Sequence, residues 1–600
     1  MSELIHQAIR AHQAGEFAEA ESLYRAIIAS DPKHADAHAL LGVICGLKNN
    51  HDEAIALNMR ALEIDPGSAL LWFHLGTVLM NAKQLSEAVT AFRQAIALQP
   101  TMAQAHYNLG NALRADGQWG DAIEAYREAI LHNIHYAEAY NNLALTLAHE
   151  KRLDEALLEA RKAVAIAPDY GEGWRTVCNL AESAKHYPLA LEAGEQAIRL
   201  MPDSHFAWFG YGVALNRLDR NEDAVAAYKR ALALKPERAD IWDNLGQTYQ
   251  AMNRLEEAEA TFRKTVEVAG QVIEREGLRE VAEEEYGNRH WHLALMELLR
   301  GKYVEGFARY RSRFKDVGGL QRPDFPKPLW TGEPLAGRTL LVSDEQGFGD
   351  TLMLCRYVPL LKKQGARIVF SVHPVLKPLF AAWPHADVIV THGQVLPHFD
   401  FHASVFDLPY RFRTTLATIP CQVPYLPMLG PSAAVRLPED EVPKVGVVWG
   451  GSPMHTNDAR RSIPLTVFAK IFEDREIQFY SLNRDLKSGD AEALPRLPLI
   501  DLAPRLGDFA DAGRILAQLD LIITCDTATA HLAGGMGKEV WTLLPFAPDW
   551  RWLTERSDSP WYPTMRLFRQ PRPACWHDVM DAVQQALSAK FRGVQQPGGY

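Results

Sequence analysis

Three short stretches in the second half of the chain combine residue types that could do chemistry. Gln346-Gly347-Phe348-Gly349-Asp350 sets a carboxylate just after a β-rich run and at the start of a helical one. A carboxylate in that place can take a proton from an attacking hydroxyl. It can equally be an acid favoured by the positive end of a helix. Cys525-Asp526-Thr527-Ala528-Thr529-Ala530-His531-Leu532-Ala533-Gly534 also follows an apolar run and opens a helix. Free N–H groups at such a start suit a diphosphate or a phosphodiester. Asp526 can accept from sugar hydroxyls, and His531, one turn in, can touch phosphate or hold the turn together. The plainer alternative for Asp526 and Thr527 is a helix cap. The third stretch runs from Gly450-Gly451-Ser452 to Arg460-Arg461-Ser462. Adjacent arginines beside a glycine turn suit phosphate, which a guanidinium binds bidentately; a solvated surface pair is the alternative.

Other chemistries are excluded. Gly347-Phe348-Gly349 lacks the third glycine of a dinucleotide fingerprint, and no P-loop motif occurs. No D-x-D pair is present, so no essential metal and no cofactor are expected.

The elements that must hold these stretches are short β-rich runs alternating with helices. Thr339–Ser343, Arg367–Val372 and Asp387–Val390 form one set, with a helix expected from Thr351 to Lys363. Lys444–Trp449, Ile477–Leu482, Leu519–Cys525 and Val540–Leu544 form a second. A proline-rich stretch from Pro409 to Pro443 separates them. Two α/β lobes with parallel sheets follow, over residues 335–430 and 431–600. Ligands of such folds bind beyond the carboxyl ends of the strands.

Residues 1–270 read as one repeated unit. Gly42, Gly76, Gly110, Ala144, Cys178, Gly212 and Gly246 recur every 34 residues. Alanine holds a second column from Ala20 to Ala258. Proline holds a third at Pro32, Pro66, Pro100, Pro168, Pro202 and Pro236, interrupted by Ile134. His38, Trp72, His106, Tyr140, Trp174, Trp208 and Trp242 form a fourth. A small residue lets crossing helices approach to about 8 Å, the ring fills the gap between neighbours, and proline ends each second helix. The columns resemble the tetratricopeptide repeat, as in Trp72-Phe73-His74-Leu75-Gly76 with Ala88, Phe92 and Pro100. That resemblance implies a right-handed superhelix with a concave binding face. Two residues before the glycine column stand Leu40, His74, Asn108, Asn142, Thr176, Gly210 and Asn244. Asn108, Asn142 and Asn244 resemble the asparagine ladder of the O-linked N-acetylglucosamine transferase superhelix, whose amides grip an extended peptide; solvated helix positions are the alternative. Residues 271–334 read as a bridge. It holds the acidic run Glu283-Glu284-Glu285, a degenerate helical pair over Trp291–Phe314 and a proline-rich linker from Arg322 to Pro334.

Composition narrows the class. The chain has 600 residues, a formal net charge of −11, 47 % hydrophobic and 23 % charged residues, which is ordinary for folded protein. The acidic balance disfavours nucleic acid. Six cysteines without C-x-x-C spacing suit a reducing compartment. The start carries no leader pattern and no apolar run of about 18 residues occurs, so a cytoplasmic protein without a membrane span is expected.

Residues 335–590 resemble GT-B glycosyltransferases of the lipopolysaccharide heptosyltransferase type. Gly349-Asp350 matches that family's first-lobe motif, and Asp526-Thr527-Ala528 with His531-Leu532-Ala533 its donor motif. The resemblance implies Asp350 as base. It implies a donor site made by Ser452, Arg460, Arg461, Asp526, Thr527, Ala528 and His531. Alanine stands at 528 where glycine is frequent in the family, and the basic phosphate residue aligns with Arg460 or Arg461. Trp550-Arg551-Trp552, Ser559-Pro560-Trp561-Tyr562-Pro563 and Phe568-Arg569-Gln570 resemble the branch that carries an N-terminal repeat array. The implied activity is inverting protein O-glycosylation from a nucleotide sugar, with a flagellin-like acceptor held by the repeats. Transfer to a lipid-linked or free saccharide, and a scaffold with an inactive transferase domain, are the competing readings.

Overall fold

The computed structural model describes residues 2–276, 288–316, 322–453, 457–474, 476–487 and 489–592. The run Glu283–Glu285 and residues 454–456 of the glycine–arginine loop lie outside them. The chain divides into two compact units, Met1–Pro236 and Glu237–Tyr600.

The first unit is built from helical hairpins. After the opening pair Ser2–Gln13 and Phe17–Ser30, hairpins of 13 and 14 residues repeat, from Ala35–Leu47 with His51–Ile64 to His205–Arg217 with Asn221–Leu234. The glycine column has a steric cause. A Cβ on Gly76 would stand 2.7 Å from the Phe92 ring, and one on Gly110 would stand 2.6 Å from Tyr126. Where the column is Ala144 or Cys178, the residue sixteen positions on is Ala160 or Gly194 instead of an aromatic. A Cβ on Gly194 would stand 3.1 Å from Tyr211, so this glycine makes room for the next helix.

The proline and aromatic columns are one device. Trp72, Trp174 and Trp208 donate their indole N–H to the carbonyls of Pro66, Pro168 and Pro202 at 3.1, 2.9 and 2.8 Å. The ring Nε2 of His38 and of His106 meets the carbonyls of Pro32 and Pro100 at 3.1 and 2.8 Å. Each bond satisfies a carbonyl just past a helix end, where no helical N–H can reach it. The repeat that replaces proline by Ile134 also replaces the N–H donor by Tyr140.

The second unit opens with the same hairpin geometry, Ala239–Ala251 and Leu255–Glu276, where a Cβ on Gly246 would stand 2.6 Å from Phe262. The second of these helices runs past residue 270, the expected end of the array. The degenerate pair is present as Asn288–Leu299 and Tyr303–Tyr310. It is part of the α/β body: Trp561 donates to Tyr303 Oη at 3.2 Å, and buried Arg313 forks Glu345 at 2.5 and 2.7 Å. The proline-rich segment is likewise no free linker. Trp330 N donates to the His402 carbonyl at 2.8 Å, and His402 N to the Pro328 carbonyl at 3.1 Å.

Two all-parallel sheets follow. The first contains β1 (Thr339–Ser343), β2 (Arg367–Val372), β3 (Val388–Thr391) and β4 (Phe401–Ser404) in the order β3-β2-β1-β4. The second contains β5 (Lys444–Val448), β6 (Gln478–Ser481), β7 (Leu499–Asp501), β8 (Leu521–Cys525), β9 (Val540–Leu544) and β10 (Met565–Arg569), in the order β10-β9-β8-β5-β6-β7. Central strands such as β5, β8 and β9 are buried along their whole length, as parallel strands covered on both faces must be. The closing helix Trp576–Arg592 covers the second sheet through Trp576, Met580, Val583 and Leu587. The helix expected over Thr351–Lys363 is broken into Phe348–Leu354, a 3-10 turn at Cys355–Tyr357, and Val358–Lys363. Pro359, which has no N–H, sits in the first turn of the second piece. Among the described residues no helix is long and apolar enough to cross a membrane.

Candidate functional site

The second sheet reverses its winding between neighbours β5 and β8. Ligands of doubly wound sheets sit at the carboxyl ends of such a pair. There the β5 loop begins at Trp449-Gly450-Gly451, and the β8 loop is Asp526-Thr527. Asn483 Oδ1 accepts from Trp449 N and Gly450 N at 3.0 and 2.8 Å. Gly451 N donates to Ser462 Oγ at 3.1 Å, which donates to Asp458 Oδ1 at 2.7 Å. Lys487 pairs with the same Asp458 at 2.8 Å, holding its carboxyl below the usual range together with Ser462.

The two loops are joined by Arg461, whose Nη1 donates to the Asp526 carbonyl at 3.0 Å. Gly451 is required for this: its Cβ would stand 2.6 Å from the Arg461 guanidinium. Arg460 and Ser452 are exposed. Of the two arginines, Arg461 is the one tied to the β8 loop. Thr527 begins the helix Ala528–Gly535, but its side chain makes no cap. Its hydroxyl instead meets Thr524 Oγ1 at 2.9 Å.

Asp350 comes to this place from the first sheet. Its helix, Phe348–Leu354, packs on Ala528–Gly535. A Cβ on Gly349 would stand 2.8 Å from His531 Cδ2 and 3.6 Å from Ala528 Cα. Asp350 Oδ2 accepts from Gly347 N at 2.9 Å, so the helix-start reading holds for one oxygen. The other oxygen pairs with Arg551. Burial pushes the Asp350 carboxyl up, against the pull of Arg551 and of the Gly347 N–H. Asp526 is pushed up to about 6 by burial and by the negative charge of Asp549, while Trp552, Arg551 and Arg461 pull it down. His531 is buried, stacked on Trp552 with centroids 5.3 Å apart, and its Nδ1 meets Tyr562 Oη at 2.8 Å. Burial, with Arg551 and Arg356 nearby, holds its pKa well below the usual value, so the ring is neutral at pH 7.

The structure therefore brings together Asp350, Arg461, Asp526, Ala528 and His531. Asn108 and Asn142 belong to the first unit, where Asn142 donates to Asn111 Oδ1 at 2.9 Å and to Tyr107 Oη at 3.0 Å. Asn244 donates to the Asp240 carbonyl of its own helix at 2.9 Å. Among the described residues no three of His, Cys, Asp and Glu are grouped to hold a metal ion.

Sequence reasoning passed over several members. Arg551 lies after β9 in the turn Trp550–Trp552 and also pairs with Asp549 at 2.6 Å. Tyr310 donates to Gln346 Oε1 at 3.1 Å, at the foot of the Asp350 loop. Buried Arg356 donates to the Met353 and Trp561 carbonyls at 2.6 Å each and to Tyr425 Oη at 2.9 Å. The only local signal was an arginine between two tryptophans, which does not reveal burial.

Family models match the first half of the chain. Residues 7–69, 73–135 and 112–171 match a tetratricopeptide-repeat model, residues 214–253 a TPR-repeat model, and residues 239–271 a further tetratricopeptide-repeat model. Protein FlbA of Caulobacter vibrioides is 27 % identical over 333 residues, covering 49 % of this chain and 55 % of that one. The chain thus spans about half the length of this curated relative. Among solved structures, MamA matches at 26 % identity with a TM-score of 0.25, over 26 % of this chain and 93 % of its own. PilF of Pseudomonas aeruginosa matches at 22 % with a TM-score of 0.32, over 34 % and 94 %. YrrB, described as a TPR protein with an unusual peptide-binding site, matches at 18 % with a TM-score of 0.27, over 30 % and 93 %. The family models and the 34-residue geometry agree that the N-terminal part of this chain is an array of tetratricopeptide repeats.

Proposed function

We propose that the second unit is a GT-B glycosyltransferase that moves a sugar from a nucleotide-activated donor to a Ser or Thr hydroxyl of a protein held by the repeats. The observation that carries this reading is the meeting of Asp350, from the first sheet, with the β5 and β8 loops at the winding reversal of the second. A carboxylate set against an anion-binding helix start is what sugar transfer from a phosphate requires.

The donor phosphate meets Arg461 and the N–H groups at the start of Ala528–Gly535, which are fixed before reaction and need no reorganisation. Asp526 accepts from sugar hydroxyls. His531, being neutral, serves to lock the two helices together. The acceptor oxygen bonds to the anomeric carbon as the bond from that carbon to the phosphate oxygen breaks. The phosphate leaves with the electron pair, and the hydroxyl proton passes to Asp350. A single displacement inverts the anomeric centre. Within the first unit Asn108 offers its amide to the backbone of an extended acceptor, beside Asn142, whose N–H groups are given to Asn111 and Tyr107.

Co-expression of the full chain with a flagellin-like protein, followed by intact-mass measurement, tests the reading. The acceptor should gain the mass of one or more sugars, and Asp350→Ala should abolish the gain. Gain that persists in Asp350→Ala sinks the assigned base. Transfer to a glycolipid with no protein gain sinks the protein acceptor.

A further inference from the structure

The ion pair at Asp350 raises a chemical problem. Both of its oxygens are engaged, one by Gly347 N and one by Arg551. Burial raises the carboxyl overall, but the guanidinium opposes protonation and occupies the oxygen that would take the proton. The charges around it are also unbalanced for an incoming anion: Asp350, Asp526 and Asp549 are set against Arg551 and Arg461. A phosphate added there is repelled unless it takes a guanidinium from one of the acids.

The backbone singles out Arg551 for that exchange. Its turn follows β9, at the same carboxyl edge as Asp526. Asp549 anchors the turn, accepting from Arg551 N at 3.0 Å and from Nη1 at 2.6 Å, so Nη1 has a fixed partner within the loop. Nη2 is the nitrogen that reaches across to Asp350. The next residue but one, Leu553, has φ 53° and ψ −162°, a region almost reserved for glycine. Arg569 holds this backbone in place, donating to the carbonyls of Trp552, Leu553 and Arg556 at 2.6, 2.9 and 2.8 Å. A strained turn so clamped gives the Arg551 side chain a fixed origin and leaves its outer nitrogen free to change partners.

We infer that Arg551 is a donor-phosphate residue that phosphate and Asp350 compete for, so that donor binding releases Asp350 to act as base and must precede productive acceptor binding. The inference rests on the transferase reading above and adds a residue and an order of binding to it. The other groups facing this exchange are Asp549, Asp526, Arg461, Tyr310 and neutral His531.

Titration of the full chain with UDP, GDP and CMP, followed by calorimetry, tests it. Arg551→Gln should weaken nucleotide binding by about tenfold or more, as expected for a lost charged hydrogen bond. Arg551→Lys should restore part of it. Asp350→Asn should bind nucleotide several-fold more tightly than the unaltered chain, because the competitor is gone. Affinity of the unaltered chain should rise as the pH falls and Asp350 and Asp526 take protons, and Asp350→Asn should lessen that rise, Asp526 supplying the remainder. A purely structural ion pair predicts the opposite for Asp350→Asn: unchanged or weaker binding, which overturns the inference even if Arg551→Gln fails to fold. If the unaltered chain binds one of the nucleotides while neither variant changes affinity, the exchange is wrong and the transferase reading stands. If the unaltered chain binds none of them, both fall.

Discussion

Replacing Gly349 by alanine tests whether the two sheets are held in register through the Gly349–His531 contact. The added Cβ would stand 2.8 Å from His531 Cδ2, against an ordinary contact of at least 3.4 Å, so about 0.6 Å of separation is needed. His531 cannot easily supply it. Trp552 is stacked on one face, at an interplanar angle of 15°, and Tyr562 Oη meets Nδ1 at 2.8 Å. Moving the ring by that amount would stretch the bond to roughly 3.4 Å, beyond good hydrogen-bond length. Overpacking costs about 1–3 kcal/mol, and the better helix propensity of alanine offsets up to about 1 kcal/mol. The expected net loss is roughly 1–2 kcal/mol. Because Asp350 is the next residue, misplacement by this distance should also cost about tenfold or more in transfer rate. Hydrogen exchange of peptides spanning 348–354 and 528–535 reads the local loss directly. In a His531→Ala background the ring is gone, and Gly349→Ala should become neutral or stabilising. An equal cost in both backgrounds, or no cost in the unaltered chain, would refute the argument.

Two further outcomes follow from the structure. Trp174→Phe deletes the N–H that serves the Pro168 carbonyl and should cost about 0.5–1.5 kcal/mol in urea unfolding of the repeats. Tyr140→Phe, in the repeat where Ile134 replaces proline, should cost less than about 0.5 kcal/mol. Asp526 has a carboxyl pKa of about 6 in the fold against 3.8 in the unfolded chain. Between those values the folded state holds the extra proton, so stability from this group is present at low pH and lost as the pH rises through 6. Asp526→Asn should therefore raise thermal stability at pH 7–8, by at most about 3 kcal/mol, and leave it unchanged near pH 3. A gain of equal size at both pH values would show that charge burial is not the cause.

The repeat array was legible because each hairpin touches its neighbours, so its constraints return every 34 residues along the chain. Even there the reasons were incomplete. The indole-to-proline bonds and the fit of Phe92 against Gly76 are visible only in the tertiary structure. In the α/β part the strands read from sequence were mostly central ones. Those missed, β4, β7 and β10, all lie at sheet edges. An edge strand has one neighbour and more solvent, so its residues need not form an unbroken apolar run. β7, Leu-Ile-Asp, is largely exposed.

The site divides in the same way. Asp350, Asp526 and His531 stand beside a strand end and a glycine turn, and that local grammar marks them. Arg461 was separated from Arg460 only by its bond across to the β8 loop. Tyr310 and Arg356 carry no local mark, and Arg551 only its place between two tryptophans. Each acts on a residue tens to hundreds of positions away: Arg551 on Asp350, Tyr310 on Gln346, Arg356 on Trp561. The amino-acid sequence by itself determined the repeat, the alternating strands and the loops able to bind an anion, because periodicity and turn chemistry act over a few residues. Tertiary structure alone decided which charges face one another and which are buried. That depends on how distant segments pack, and a pKa or a hydrogen bond follows from those neighbours.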